Sequence, residues 1–139
     1  MAGVLLDYGQ EDILNVFFKN VAVHSNLYLG LMTETSNPAL TANLGTGITE
    51  VTGTDYARIA IVRNTDWTKV GQIVTAAEKT FTVGAGGWAD VNGYFVAVSS
   101  AAGTDVLWAE AFPAAQQGDK LEGDTIKITA KYEQKDDSE

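Results

Sequence analysis

The strongest constraint in this sequence is a short run, Gly93-Tyr94-Phe95-Val96-Ala97-Val98, with apolar residues at every side-chain position. Side chains alternate across an extended strand, so Tyr94, Val96 and Val98 face one way and Phe95 and Ala97 the other. A strand with one wet face alternates apolar and polar residues. A run apolar on both faces belongs in the middle of a sheet that is covered on both sides. The run continues a segment that starts at Trp88. Turn-forming residues flank it, Gly84 to Gly87 before and Ser99 to Gly103 after, and a second aromatic strand follows at Val106-Leu107-Trp108-Ala109. This predicts a hairpin at the centre of a β-domain, with Trp88, Tyr94, Val96, Trp108, Ile126 and Ile128 buried.

The remaining segments fit around that hairpin. Asp7 is placed to cap a helix, with Gln10 three residues on. Ile13, Leu14, Phe17, Phe18 and Val21 follow at helical spacing. Such a helix is too short to be stable alone, so its apolar side must pack on something. The general rule has it plug the end of its own β-domain; the alternative is a partner subunit. Strands are expected at Leu27–Met32, Tyr56–Arg63, Thr65–Lys69, Gln72–Thr75 and Lys79–Val83. Thr125–Tyr132 alternates apolar and polar residues without a break, as one strand with a wet face. The Gly118-Asp119-Lys120 and Glu122-Gly123-Asp124 clusters read as turns. Together these segments predict a mainly β fold: an antiparallel, jelly-roll-like β-sandwich led by one short helix. A single domain is expected over residues 1–139, with a helix region at 1–22 and an acidic tail at 133–139.

Composition narrows the chemistry. The chain of 139 residues carries a net charge of −9, which opposes contact with nucleic-acid phosphates and with anionic membranes. No apolar run approaches the length of a membrane span, and no basic region precedes Val4-Leu5-Leu6 as in a secretion signal. There is no cysteine and one histidine, His24, so thiolate and multi-histidine metal sites are excluded. Gly84-Ala85-Gly86-Gly87-Trp88-Ala89 matches a dinucleotide pattern in form, but a strand follows it where a helix N-terminus is needed. Asp119, Glu122 and Asp124 lack the spacing of a calcium loop and read as solvated turn carboxylates. No nucleophile–base pair stands out. The expectation is no enzyme, no catalytic residue, no cofactor and no metal. Trp67, Trp88, Trp108, Tyr28, Tyr56 and Tyr94 could stack on sugars, but aromatics at strand spacing are more often core.

The order of the motifs is familiar. Leu27-Tyr28-Leu29-Gly30-Leu31-Met32-Thr33 follows the helix. Next come Glu50-Val51-Thr52-Gly53-Thr54-Asp55-Tyr56-Ala57-Arg58, Asp66-Trp67, Lys79-Thr80-Phe81 and Gly87-Trp88-Ala89-Asp90-Val91. Val106-Leu107-Trp108-Ala109 and Gly118-Asp119 close the series. Over nearly its whole length the chain resembles a family of small structural proteins of tailed bacteriophages, often labelled tail fibre proteins. The resemblance implies a non-enzymatic virion protein, assembled in the host cytoplasm and contacting major capsid or tail proteins. Two placements follow. A capsid decoration or cement protein is slightly preferred, because a fibre needs a coiled coil or repeated β units as a shaft. A tail-fibre or tail-tip module that binds host glycans is the alternative, and a free-standing lectin or glycosidase is a remote third.

The segments least explained by the chain's own core are the helix and the Thr33–Thr54 loop. Phe17 and Phe18 diverge by about 100° on a helix, so both cannot face one core stripe. The loop is long, polar and dotted with Pro38, Leu40, Leu44 and Ile48. These six residues are the expected interface with another copy, as a homo-oligomer, or with another virion protein.

Overall fold

The doubly apolar run lies in the middle of a five-stranded antiparallel sheet. A computed structural model describes residues 4–101 and 105–134. It begins with β1 (Val4–Leu5), α1 (Asp7–Phe18) and β2 (Asn26–Met32), followed by the short β3 (Asn43–Leu44) and β4 (Gly47–Ile48). The middle holds β5 (Ile59–Val62), β6 (Trp67–Val70), β7 (Ile73–Ala76), β8 (Lys79–Thr82) and β9 (Trp88–Val91). β10 (Gly93–Ala97), β11 (Val106–Ala111), a 3₁₀ turn at Ala114–Gln116, β12 (Gly118–Lys120), β13 (Thr125–Ile128) and β14 (Lys131–Glu133) complete the order.

The central sheet runs β1-β11-β10-β2-β5. Every residue of β10 is buried. On its inner face, Tyr94 and Val96 join Leu29, Leu31, Trp88 and Trp108 in the main core. On its outer face, Phe95 and Ala97 join Leu6, Met32, Ile48 and Val106 in a second, smaller core. Phe95 sits opposite Gly30 of β2 and Ala109 of β11. Small neighbours are required there, because a Cβ at Gly30 would overlap the Phe95 ring. The β10–β11 register shifts between Val96 and Ala97, which leaves Leu107 as the extra residue of a bulge beside Trp108.

A second layer covers the inner face. It consists of short antiparallel ladders: β12-β9, β13-β8 and β14-β7-β6. The β13-β8 and β14-β7 ladders continue one another, from Thr82↔Thr125 to Ile73↔Glu133. The expected single strand Thr125–Tyr132 is therefore two strands, broken where the Ala76 N–H donates to the Ala130 carbonyl across 2.8 Å. Alternation survives the break: Ile126, Ile128 and Ala130 are all buried. Aromatic rings fill the gap between layers, with Tyr56 edge-on to Trp88 at 5.4 Å and Trp67 and Tyr132 each 5.7 Å from Trp108. This is a mainly β, sandwich-like fold, as the sequence pattern predicts.

The segment that starts at Trp88 changes layers at Asn92. Asn92 is buried and fully bonded, its Nδ2 donating to the Thr33 carbonyl at 2.6 Å and its Oδ1 accepting from the Gly118 N–H at 3.0 Å. A polar residue buried at a corner needs such partners. Gly118-Asp119-Lys120 is a strand rather than a turn, pairing Gly118 with Val91 and Lys120 with Trp88. Glu122-Gly123-Asp124 is a turn as expected, closed by the Leu121 N–H donating to Asp124 Oδ2 at 2.9 Å. Glu133 belongs to β14 rather than to a tail; residues 135–139 and the tip of the β10–β11 hairpin, 102–104, lie outside the described residues.

Candidate docking surface

Helix α1 is anchored at its beginning and further along is covered only partly, at Asp12, Asn15 and Val16. Its N-cap is Leu6, with no side-chain cap, and Asp7 is the first helical residue rather than the cap. Burial takes over the role of the cap. Leu6 is fully buried in the outer core, its N–H donating to the Leu107 carbonyl at 2.8 Å, while the Asp7 N–H donates to the Leu40 carbonyl at 2.9 Å. Asp7 still favours the helix electrostatically, as an acid in the first turn. Gly9 is the only helix residue that is buried. A Cβ there would come 2.5 Å from the Leu107 carbonyl oxygen, so the helix backbone lies directly on β11. At the far end Asn20 takes a left-handed conformation (φ 54°) and ends the helix.

The apolar side of α1 points to solvent. Phe17 is 77% and Phe18 79% exposed, and Ile13, Leu14, Val21 and Val23 are about half exposed. The expectation that this stripe plugs the chain's own β-domain is not met. The physical reason lies in the outer core, where Leu6, Ala42, Ile48 and Phe95 already close the space that a helix would fill. The expected interface residues divide accordingly. Phe17, Phe18 and Leu40 are exposed, Pro38 is half-buried, Leu44 packs half-buried on the outer core, and Ile48 is fully buried within it. Ile48 is thus covered by its own chain, and much of the long loop serves as the lid of the outer core.

The loop is pinned by a polar cluster that residue-by-residue reading gave no role. Arg58 donates to both Glu50 oxygens, from Nε at 2.8 Å and Nη2 at 2.7 Å, with its side chain only 2% exposed. Its Nη1 reaches the Ser99 carbonyl at 2.6 Å and the Ala101 carbonyl at 2.8 Å, and its guanidinium lies 5.2 Å from the Phe95 ring centre. Tyr56 donates to Glu50 Oε1 and accepts the Leu31 N–H, both at 2.9 Å. Burial pushes the Tyr56 hydroxyl well above the ordinary tyrosine value, and the charge of Glu50 adds to this. This cluster shortens the expected Tyr56–Arg63 strand to β5, since Tyr56 and Arg58 turn towards Glu50. The motif Glu50…Tyr56-Ala57-Arg58 was its only signal in the sequence.

Chemistry finds little purchase. His24 Nε2 lies 3.2 Å from Asp12 Oδ1 and ties the segment after α1 to the helix. Among the described residues no three metal-ligating side chains gather, and no helix is long and apolar enough to cross a membrane. Gly84 to Gly87 forms a turn into β9, with no helix behind it. Of the aromatics that could stack on sugars, Trp88, Tyr94 and Trp108 are core residues at 2–5% exposure, while Tyr28, Tyr56 and Trp67 are half-buried. One concave feature adjoins the helix: an open cleft of about 570 Å³ lined by Leu27, Trp67, Val74 and Trp108 together with the exposed Arg63 and Lys69.

No curated protein matches the chain. A family profile does, that of the Podophage GP4 fiber I protein gp80, over residues 5–134. The match takes in α1, both cores and nearly all the described ladders. The chain belongs to this family of phage fibre proteins and is a bacteriophage virion component.

Proposed function

We propose that the chain is a non-enzymatic subunit of a phage tail fibre. The family match over residues 5–134 carries this reading, because it spans the whole fold and names a fibre protein. The exposed aromatic end of α1 supports it, since an apolar patch of this kind on an otherwise acidic chain marks a contact with another protein. Burial of Trp88, Tyr94 and Trp108 favours a structural role over glycan binding. Capsid decoration is the second reading, favoured by the short strands and the one 12-residue helix among the described residues, which form no shaft. Counting copies in purified virions by quantitative mass spectrometry separates them. A fibre subunit is expected at a small multiple of the tail symmetry. A count that scales with the capsomers would replace the fibre reading with the decoration reading.

A further inference from the structure

We infer that the partner of α1 is a second copy of this chain, whose Arg63–Lys69 cleft receives the helix. Asp7, Glu11, Leu14 and Phe18 fall at i, i+4, i+7 and i+11, so they form one stripe, and all four are exposed. That stripe is acidic in its first half and apolar in its second. The cleft is its complement: Leu27, Trp67, Val74 and Trp108 give an apolar lining, while Arg63 and Lys69 supply positive charge at exposed positions. Among the described residues no carboxylate lines this cleft, on a chain of net charge −9. The cleft volume of about 570 Å³ is enough for a phenylalanine side chain and its neighbours.

Size points the same way. With Ile13, Phe17, Val21 and Val23 beside the stripe, the exposed apolar area of this segment reaches on the order of 700 Å², an upper bound on what one contact covers, against about 800 Å² for one partner's share of a standard interface. Helix and cleft are also neighbours on each chain. His24 links them, with its ring at Asp12 of the helix and its carbonyl accepting from Arg63 Nη1 at 3.2 Å. Each copy therefore presents both halves, and repetition of the contact gives a closed dimer or ring, or an open filament where the rotation does not close. The inference holds for a fibre and for a capsid protein alike, so it stands apart from the reading above.

Sedimentation velocity of the full chain over a range of concentrations tests it. Wild type should associate, and more weakly at high salt, which screens the charged half of the contact. Phe17→Ser with Phe18→Ser should weaken association by on the order of tenfold or more, with an unchanged thermal melt at concentrations where both proteins are monomeric. Lys69→Glu should weaken it as well, and Glu11→Lys added to Lys69→Glu should restore it. The chain has no cysteine, which allows a second readout. A mixture of Glu11→Cys and Lys69→Cys proteins should form the mixed disulfide in preference to either like pair. A wild-type chain that stays monomeric throughout, association unaffected by the two phenylalanine changes, or failure of the charge swap to restore it would overturn the inference.

Discussion

β10 and α1 are both rich in apolar residues, and the fold treats them in opposite ways. All five residues of β10 are buried, whereas one of the twelve residues of α1 is. The difference arises from how each element satisfies its backbone. A strand needs neighbours on both edges for its N–H and C=O groups, so β10 is drawn between β2 and β11 and its two faces are then covered by two cores. A helix bonds its own backbone. α1 needs only its first turns on β11, through Leu6 and Gly9, and its remaining length is only partly covered. An apolar pattern thus reports that a surface will be covered, but not by which chain.

The sharpest way to break this contrast is to cut into β10 and its partner strand. Phe95→Ala or Trp108→Ala should lower stability by about 3–5 kcal/mol, read by thermal or denaturant melts. Such a loss is a large share of the roughly 5–15 kcal/mol that holds a domain of this kind. A Trp108→Ala protein that melts like wild type would contradict the central position of the hairpin.

Next in size is the clamp between the loop and the hairpin. Glu50→Ala leaves the buried Arg58 guanidinium without its bidentate partner. The expected cost is about 2–4 kcal/mol, trimmed by the partial exposure of Glu50. A stability loss of only a few tenths of a kcal/mol in denaturant melts would show that the clamp is dispensable.

Alkaline pH provides a gentler probe of the inner side. Tyr56 and Tyr94 donate to Glu50 and Glu110, each at 2.9 Å, and burial pushes both hydroxyls above the ordinary tyrosine range, with the neighbouring carboxylates adding to it. A folded value above the unfolded one of about 10 means that these tyrosines contribute fully below pH 10. Their contribution falls as the pH rises from there towards the raised value. Melting temperature should therefore decline above about pH 10, and less steeply in a Tyr56→Phe, Tyr94→Phe protein. Equal slopes would show that the two hydroxyls ionise without opposing the fold.

The smallest effect is expected on α1. Phe17→Ser and Phe18→Ser should change the stability of the dissociated chain by no more than about 0.5 kcal/mol, as for other exposed positions. A loss of several kilocalories would mean that the aromatic end of the helix belongs to the core.

The same contrast explains what could be read in the sequence. β10 was legible because its double-sided apolar pattern has one physical solution. β2, β8 and the inward residues of β13 were legible by alternation. β1 and β12 were not: two or three residues are too few for a period, and β12 carries glycine, aspartate and lysine. Asn92, where the chain changes layers, lies within what reads as one segment from Trp88 to Val98, and only its partners at Thr33 and Gly118 mark it as a corner. Of the expected interface, Phe17 and Phe18 were found by their angular divergence on a helix. Ile48 was grouped with them because no local signal separates an apolar loop residue that closes its own core from one awaiting a partner.

Hydroxyl-radical footprinting of the dilute, monomeric chain beside the intact virion tests this division of labour most directly. Phe95 and Trp108 should be protected in both, while Phe17 and Phe18 should be labelled strongly in the free chain and protected in the virion. Equal labelling of Phe17 and Phe18 in both states, or their protection in the dilute chain, would contradict the assignment of α1 to another chain.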